Sequence, residues 1–460
     1  MLDRRHFLQV GSLPLFRPLL TLGAVGAGLK GYAQSASDYK ALVCVYLFGG
    51  NDGYNTLVPH ESSAHAQYLT KRPLFNQANQ LGVGITQESL LTLPLANGQT
   101  TGMALNPALV NMHSAWASGR LAWVQEVGNL VEPLTRSNFA AARKPAALLA
   151  HDDQQELSML ASQFTQGLGT ESGWGNRMLQ HVLPQSDANW SQVSFFGNNR
   201  WQANAGWSTP VLLNALSTLP VVRSDAMRSL IADAERSSRP FSKAYASLMR
   251  ESYEKAAVIN ALFASNNSLV DTSFTNALGG SPMASHFNKQ LLSVAKLIHQ
   301  RQSYGAPARQ IFFVGLGGFD HHGAQFNSQK SYLTDIDKGL HAFFAALTAV
   351  GLERQVTAFS MSDFGRTMSM NASQGTDHGW ASHHFVWGGA VRQGLYGQRT
   401  DWANTDYTVP TSPDVLMPRI ALDQYAATLA SWMGLSGADL NNVFPNLRNF
   451  SQPNLGFMNS

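Results

Sequence analysis

The alternation of strand patterns with helical patterns constrains this 460-residue chain more than any other feature. Residues 41–48 are apolar or aromatic almost throughout, which is typical of a central strand that is buried on both faces. Strands that alternate with helices predict an α/β fold with a doubly wound, mainly parallel sheet. The predicted strands span residues 41–48, 121–127, 192–196, 210–213, 311–314, 355–361 and 384–391. The predicted helices span residues 106–118, 152–166, 225–236, 241–265, 285–302, 329–350 and 422–433.

Residues 225–302 carry helical patterns but few strand patterns, so they are predicted to form a helical insertion beside the sheet. The chain has no internal repeat of fixed period and no run of like charges. We therefore expect a single α/β domain over residues 34–460. Ligands of such folds bind beyond the carboxyl ends of the strands, which is where chemistry should be sought.

Charged residues make up only 13% of the chain, about half the usual share of roughly 25%. Because nucleic-acid binding needs clustered Lys and Arg, this composition argues against a nucleic-acid partner. The formal net charge of +3 arises in the first 33 residues, and the rest of the chain is balanced. The charged residues of that N-terminal stretch are Asp3, Arg4, Arg5, Arg17 and Lys30.

Residues 1–33 have the pattern of an export signal. Arg4 and Arg5 precede a Phe-Leu pair as in a twin-arginine signal, and the apolar stretch at 18–29 is too short to span a bilayer. A small-x-small site for signal peptidase follows at 31–33. The alternative is an ordinary amphipathic N-terminal helix. The signal predicts a periplasmic or secreted protein that is exported already folded, as proteins with an inserted metal or cofactor often are.

Cys44 is the only cysteine, so no disulfide can form within one chain. It lies in the first predicted strand, where it should act as a small buried hydrophobic residue. No lipobox cysteine follows the apolar stretch, and no other stretch is long enough for a membrane span. We therefore expect no stable membrane anchor.

Three glycine-rich clusters, at 49–53, 317–322 and 375–379, place carboxylates and imidazoles downstream of predicted strands. Glycine lets the backbone turn sharply, and Asp and His together are suitable ligands for a divalent cation. Asp320 and His322 stand two positions apart, so an extended backbone would place both on one side. Asp377 and His378 are adjacent and could both point into a loop-lined site. The alternative for each cluster is a solvated surface turn.

Asp52 could bind a cation at the turn that follows the first strand. The glycine-rich cluster at 49–53 does not resemble a nucleotide-binding loop, because it lacks both the Gly-x-Gly-x-x-Gly spacing and a Walker lysine. His384 could complete a coordination shell or could be a core histidine. Because adjacent strand residues face opposite ways, His383 and His384 should not both be ligands.

Two further residues have both a functional and a structural interpretation. Arg366 follows a predicted strand and could hold a phosphate or sulfate oxyanion with its planar guanidinium, or could pair with Asp363. His151 could act as an acid–base residue, or could cap the helix that follows it.

Together, these motifs resemble the family called domain of unknown function 1501, which is placed in the alkaline phosphatase-like superfamily with sulfatases and phosphomutases. The matching runs are GGNDGYNTLVP at 49–59, GGFDHH at 317–322, SDFGRT at 362–367 and GTDHG at 375–379. Weaker matches to the motifs of this family lie at 105–109, 119–122 and 423–430. The resemblance covers nearly all of the chain after the predicted signal.

This resemblance implies an alkaline phosphatase-like sheet with two divalent cations at the carboxyl ends of its strands. One ion would be held by Asp52, Asp377 and His378, and the other by Asp320, His322 and His384. Two cations about 4 Å apart can activate a nucleophile and stabilise the leaving oxygen of a phosphoryl or sulfuryl transfer. Arg366 would help to neutralise charge on the non-bridging oxygens.

No motif marks the nucleophile that the resemblance implies. Related sequences often carry Ser before the histidine that corresponds to His151, whereas this chain has Ala150 there. Thr56 and Thr135 are candidates, and the Cys-x-Pro-x-Arg arrangement of sulfatases is absent. Loss of the nucleophile would leave either hydrolysis by water or metal binding without catalysis.

These observations predict an exported metal-dependent hydrolase of phosphate or sulfate esters, with Arg366 and His151 as catalytic residues. Its substrate would be a small anionic ester or glycan, and its cofactor zinc, manganese or calcium. The main alternative is a catalytically silent periplasmic protein that binds a metal or an anion and acts through a partner protein. A third interpretation is a structural surface-associated protein whose glycine clusters are only loop turns.

Overall fold

In the computed structural model, the described part of the chain is organised around a central sheet of nine strands. The structure describes residues 38–95, 97–161, 172–203, 210–217, 225–264, 268–280, 285–404 and 406–459, and the predicted signal at 1–33 lies outside them. Each predicted strand is present, within a few residues of its predicted ends. The strands are β1 (Lys40–Leu47), β2 (Leu57–Pro59), β3 (Leu91–Pro94), β4 (Thr100–Leu105), β5 (Leu121–Gly128), β6 (Gln192–Ser194), β7 (Val211–Leu212), β8 (Arg309–Leu316), β9 (Val356–Ser362), β10 (Ser382–Gly388), β11 (Gly394–Tyr396), β12 (Thr408–Val409), β13 (Ser412–Leu416) and β14 (Ile420–Ala421).

The central sheet is mostly parallel, with the strand order β11-β5-β10-β9-β1-β8-β6-β7 and β14 beside β5. Strand β1 lies between β8 and β9 and is parallel to both. Strand β10 is antiparallel to its neighbours β5 and β9. A parallel neighbour requires a crossover connection, whereas an antiparallel one requires only a loop. The loop at 363–381 therefore stays at one edge of the sheet, where it can contribute to a site.

Helices cover both faces of this sheet, which makes the protein a mixed α/β fold. Val43 and Val45 of β1 join one hydrophobic core with the helices before and after β8, whereas Cys44 and Tyr46 join a second core on the opposite face. The helices are α1 (Ser62–Lys71), α2 (Val110–Ala117), α3 (His151–Leu160), α4 (Trp174–Val182), α5 (Asp225–Glu235), α6 (Pro240–Ala264), α7 (Leu269–Ala277), α8 (His286–His299), α9 (Gln325–Ala349), α10 (Leu422–Met433) and α11 (Ala438–Val443).

The region predicted as an insertion, residues 225–302, consists of α5 to α8 in its described parts. Helix α8 is buried along most of its length and packs on the sheet, so it belongs to the main core. Helices α5 and α6 bury far fewer residues. No helix in the described ranges is both long and apolar enough for a bilayer span.

Some elements were not predicted from the sequence. A separate three-stranded sheet contains β2, β4 and β3, and the helices α1, α4, α7 and α11 are additional. The added strands have two to six residues, too few for a clear alternating pattern, and partners elsewhere in the chain stabilise them. Helix α3 ends at Leu160, and the rest of its predicted range lies among the undescribed residues 162–171.

Candidate metal centre

Three parallel strands end at the same level and bring their following loops together. Leu47 of β1 is paired with Leu316 of β8 on one side and with Ser362 of β9 on the other. The chain therefore leaves all three strands at one edge of the sheet, as expected for a parallel arrangement. The loop after β8 carries Asp320 and His322, and the loop after β9 carries Arg366, Asp377 and His378. Helix α3 adds His151 at its first turn.

Three histidine side chains and one aspartate converge at this edge. His378 Nε2 lies 3.1 Å from His151 Nε2, 2.9 Å from His322 Nε2 and 3.3 Å from Asp320 Oδ1. His322 Nε2 is 3.0 Å from Asp320 Oδ1, and His151 Nε2 is 3.4 Å from Asp320 Oδ2. His378 and Asp320 therefore belong to two groups of three donors, one completed by His151 and the other by His322. The donors of His151, Asp320 and His378 all lie within 4.8 Å of one another.

The other ring nitrogen of each histidine faces an oxygen acceptor. His378 Nδ1 lies 2.7 Å from the carbonyl oxygen of Leu149, which can only accept, so Nδ1 carries the proton. His151 Nδ1 lies 2.7 Å from Asp363 Oδ2, and His322 Nδ1 lies 3.0 Å from Asp377 Oδ1. In their neutral forms, all three rings therefore point an Nε2 lone pair toward the centre.

Lone pairs that face one another at about 3 Å repel unless a positive centre lies between them. Donors around a tetrahedral Zn²⁺, each about 2.0–2.1 Å from the ion, are roughly 3.3 Å from one another. Five of the six donor separations, at 2.9–3.4 Å, are close to that value, and the separation between His151 and His322 is not among them. Metal-binding histidines typically donate their second N–H to a carboxylate or a carbonyl, which is the arrangement of all three rings. The residues present therefore fit a divalent cation.

The electrostatic environment favours the metal-binding protonation states of two of these donors, Asp320 and His378. Partial burial alone would raise the pKa of Asp320, but the hydrogen bond and charge of Arg366, with smaller effects of His322 and His151, lower it to about 2. Desolvation lowers the pKa of His378, and the positive charge of Arg366 adds to this effect. Metals bind to the carboxylate form of an aspartate and to the neutral form of a histidine, so both effects favour metal binding.

Arg366 is buried and holds the three loops together. Its Nε donates to the Gly50 carbonyl at 2.7 Å, and Nη1 donates to the Thr376 carbonyl at 3.0 Å. Its Nη2 contacts the carbonyl oxygens of Gly49 and Phe319 and lies 2.8 Å from Asp320 Oδ1. The structure thus pairs Arg366 with Asp320, whereas the alternative from the sequence was a pair with Asp363. Most of its N–H groups face protein oxygens.

Asp52 lies in a different environment from the histidine cluster. Arg72, which is fully buried, donates to both carboxylate oxygens, at 2.5 Å and 3.0 Å. Gln325 Nε2 lies 2.5 Å from Oδ2, and the backbone N–H of Tyr54 donates to Oδ1. Among the described residues, no hydrogen bond or ion pair joins Asp52 to the converging histidines. Its role as a metal ligand stays a prediction, and its observed role is to anchor the turn after β1.

His384 and Asp377 also take positions behind the centre. The ring of His384 is buried in β10, with Nδ1 3.3 Å from Ser360 Oγ and its face stacked on Tyr425. Asp377 Oδ1 accepts from His322 Nδ1 and from Asn371 at 2.9 Å, so Asp377 orients His322. The ring of His383 accepts from the Glu126 N–H instead, and a ligand role for either histidine stays a prediction.

Asp363 is the residue whose role sequence reasoning missed. Its Oδ2 accepts from His151 Nδ1, from Gln155 Nε2 at 2.8 Å and from the Gly49 N–H at 3.2 Å. The available signal was its position directly after β9, in the same SDFGRT run as Arg366. Its partner could not be found from spacing, because His151 lies 212 positions away.

Comparisons with known proteins agree with the motifs. A family model described as "Protein of unknown function (DUF1501)" matches residues 39–426. No curated protein matches the chain. One similar solved structure is described as a 2-O GAG sulfatase, with 10% sequence identity and a TM-score of 0.32 over 87% of this chain and 71% of that one. At so low a TM-score, we infer nothing further from the likeness.

Proposed function

The chain belongs to the DUF1501 family of proteins of unknown function, and we propose that this member is an exported, metal-dependent hydrolase of phosphate or sulfate esters. The observation that carries the proposal is the convergence of three histidine Nε2 atoms with a carboxylate at the edge of the sheet. The ligands would be His151, His322, His378 and Asp320. Because calcium prefers oxygen donors, three imidazoles favour zinc or manganese over calcium.

The charges of the site explain why an anionic substrate would need the cation. Asp320, Asp363 and Asp377 supply three carboxylates, and Arg366 is the only guanidinium among the described residues that bonds to them. With the imidazoles in the neutral form that binds metals, these groups would sum to two negative charges before a cation binds. These charges would repel a phosphate or sulfate ester, and one divalent cation balances them. A second cation, as predicted from the resemblance, would make the site attractive to anions.

In this proposal, a bound cation would polarise a non-bridging oxygen of the ester and stabilise the charge that develops on it. The protein supplies the orientation. Asp363, the Leu149 carbonyl and Asp377 hold the three imidazoles in one tautomer, and Arg366 fixes the loops that carry Asp320. Arg366 is therefore a positioning residue in this scheme, rather than a direct contact to the substrate oxygens.

Solvent can reach the centre, because the side chains of Asp320 and His322 are each nearly half exposed. Among the described residues, no Ser or Thr hydroxyl bonds to the side chains of the four ligands. Both facts favour water as the nucleophile, in agreement with Ala150 at the position where related sequences carry Ser. The proposal also includes a doubly wound, alkaline phosphatase-like sheet, export by the twin-arginine signal and a periplasmic or secreted location.

The test uses the purified mature protein loaded with Zn²⁺ or Mn²⁺. Chromogenic phosphomonoesters, phosphodiesters and sulfate esters are assayed across pH 5–9, with and without a chelator. We expect hydrolysis of at least one ester class that the chelator abolishes, and no hydrolysis by the His378→Ala variant. Metal-loaded protein that turns over none of these esters would remove the hydrolase from consideration.

A second candidate function is metal or anion binding without catalysis, in which the protein acts through a partner. Two observations favour this alternative. Backbone carbonyls engage Arg366, and no Ser or Thr hydroxyl among the described residues bonds to the four ligand side chains. It predicts that Zn²⁺ binds with the affinity of a structural site while all three ester classes remain intact. Stoichiometric Zn²⁺ with no turnover would therefore support the second candidate over the first.

A further inference from the structure

A small cavity adjoins Asp363, the residue that accepts from His151 Nδ1. Its volume is about 20 Å³, and the polar residues around it include Asp363, Ser382 and His384. A cavity of roughly 10–15 Å³ is large enough for one water molecule, provided that the water finds two to four polar partners. The volume and the polar lining both meet this condition.

Two side-chain oxygens of these lining residues lack a hydrogen-bond partner within the described part of the chain. They are Asp363 Oδ1 and Ser382 Oγ, and both are buried. The two oxygens of Asp363 are very unequal, because Oδ2 accepts from His151, Gln155 and the Gly49 N–H while Oδ1 accepts from none. A buried carboxylate oxygen without a donor is costly, so a donor is needed on the cavity side.

His384 can supply a donor to the same cavity. Ser360 Oγ accepts from the Phe385 N–H at 3.0 Å, which leaves its own hydrogen free to donate to His384 Nδ1 at 3.3 Å. That arrangement leaves the proton of the neutral ring on Nε2. Burial lowers the pKa of His384 to about 4, which agrees with a neutral ring at physiological pH.

We infer that one buried water molecule occupies this cavity, donates to Asp363 Oδ1, and accepts from His384 Nε2 and Ser382 Oγ. This water links His384 to Asp363 and, through Asp363 Oδ2, to His151. His384 is then a positioning residue for His151 rather than a metal ligand. The inference rests on the proposed cation site and extends it to residues that do not contact the cation.

The experiment compares three variants with a matched control. Asp363→Asn, Ser382→Ala and His384→Gln each change one member of the chain of hydrogen bonds. His383→Gln is the control, because it changes the same residue type at the adjacent buried position, where the ring bonds to the Glu126 N–H instead. The Zn²⁺ dissociation constant is measured by competition with a chromogenic chelator, and crystal structures of wild type and His384→Gln show the cavity.

Outer-shell partners of metal ligands typically contribute about 10–100-fold to metal affinity, so we expect a loss of that size for Asp363→Asn. His384→Gln and Ser382→Ala should show a smaller, several-fold loss, and His383→Gln should bind like wild type. The wild-type crystal should contain a water molecule within hydrogen-bonding distance of Asp363 Oδ1.

An empty cavity in the wild-type crystal would overturn the inference, as would equal affinities of His384→Gln and His383→Gln. If His384→Gln does not fold, the comparison of Ser382→Ala with wild type decides the affinity question. If wild type binds no Zn²⁺, the proposed function fails, whereas electron density in the cavity still decides whether the water is present.

Discussion

His151 Nδ1 lies 2.7 Å from Asp363 Oδ2, although 212 positions separate the two residues in the chain. This contact turns the Nε2 atom of His151 toward Asp320 and His378. Helix α3 and the loop after β9 are therefore coupled at the centre, and neither segment alone forms the site.

We predict that the protein binds one Zn²⁺ per chain and that His378→Ala weakens binding by at least about 100-fold. His378 Nε2 lies next to all three other donors, so its loss should cost at least as much as the loss of an outer-shell partner. Equilibrium dialysis with elemental analysis gives both values. His299→Ala, at an exposed position at the end of α8, is the control and should bind normally. A stoichiometry of two would instead support the two-ion arrangement implied by the resemblance.

Asp52→Ala should destabilise the protein by about 3–5 kcal/mol, because it leaves the buried Arg72 guanidinium without its carboxylate. The loss should be the same with and without a chelator, since Arg72 and Gln325 already occupy the carboxylate oxygens. Urea denaturation measures both values. Asp414→Ala removes a partly exposed pair with Lys71 and should cost only about 0–1 kcal/mol. A cost for Asp52→Ala that disappears in chelator would indicate that Asp52 is a metal ligand after all.

The buried ring of His384 should make stability depend on pH on the acidic side. Burial lowers its pKa from 6.5 to about 4 in the folded state. The His384 imidazole is therefore protonated below about pH 6.5 in the unfolded chain, but only below about pH 4 in the folded chain. The contribution of His384 to the free energy of unfolding is fully present above pH 6.5. It falls by up to about 1.4 kcal/mol per pH unit as the pH is lowered from 6.5 to 4.

His384→Gln lacks this contribution, so its free energy of unfolding should fall less steeply than that of wild type between pH 6.5 and pH 4. Urea denaturation at a series of pH values, in the presence of a chelator, makes the comparison. Equal slopes for the two proteins would mean that the folded ring titrates normally. Such a result would contradict its burial without a charged partner.

Gly49→Ala should disturb the centre without changing any charged group. The residue has φ +110°, and an added Cβ would lie 2.5 Å from the backbone nitrogen of Asp320. Gly119 is the matched control, because it also has a positive φ of +77° but has open space around the added atom. We expect about 1–2 kcal/mol of destabilisation for Gly119→Ala. We expect roughly 1–3 kcal/mol more for Gly49→Ala, together with weaker Zn²⁺ binding, because the clash shifts the Asp320 loop. Equal stabilities and affinities for the two variants would contradict this close packing.

The sequence by itself determined the mixed α/β fold and the principal strands. Apolar runs such as residues 41–48 can be buried on both faces only in the middle of a sheet, so local pattern and tertiary position agree. The loops that follow parallel strands meet at one edge, so the sequence also led us to expect convergence of Asp52, Asp320, His322, Asp377 and His378. Of these, the donors of Asp320, His322 and His378 face one another. Short strands such as β12 and β14 could not be found, since their stability comes from pairing rather than from their own residues.

Only the tertiary structure decided which donor faces which. Asp52 and Asp377 have the same type of side chain, but a buried arginine lies against the first and a histidine against the second. Sequence spacing does not indicate that Arg72 pairs with Asp52 or that Asp363 pairs with His151, because the partners lie in different segments of the chain. Hydrogen-bond direction and burial depend on the packed neighbours of a side chain. Residue types therefore indicate where a cation could bind, and the fold determines which lone pairs point toward it.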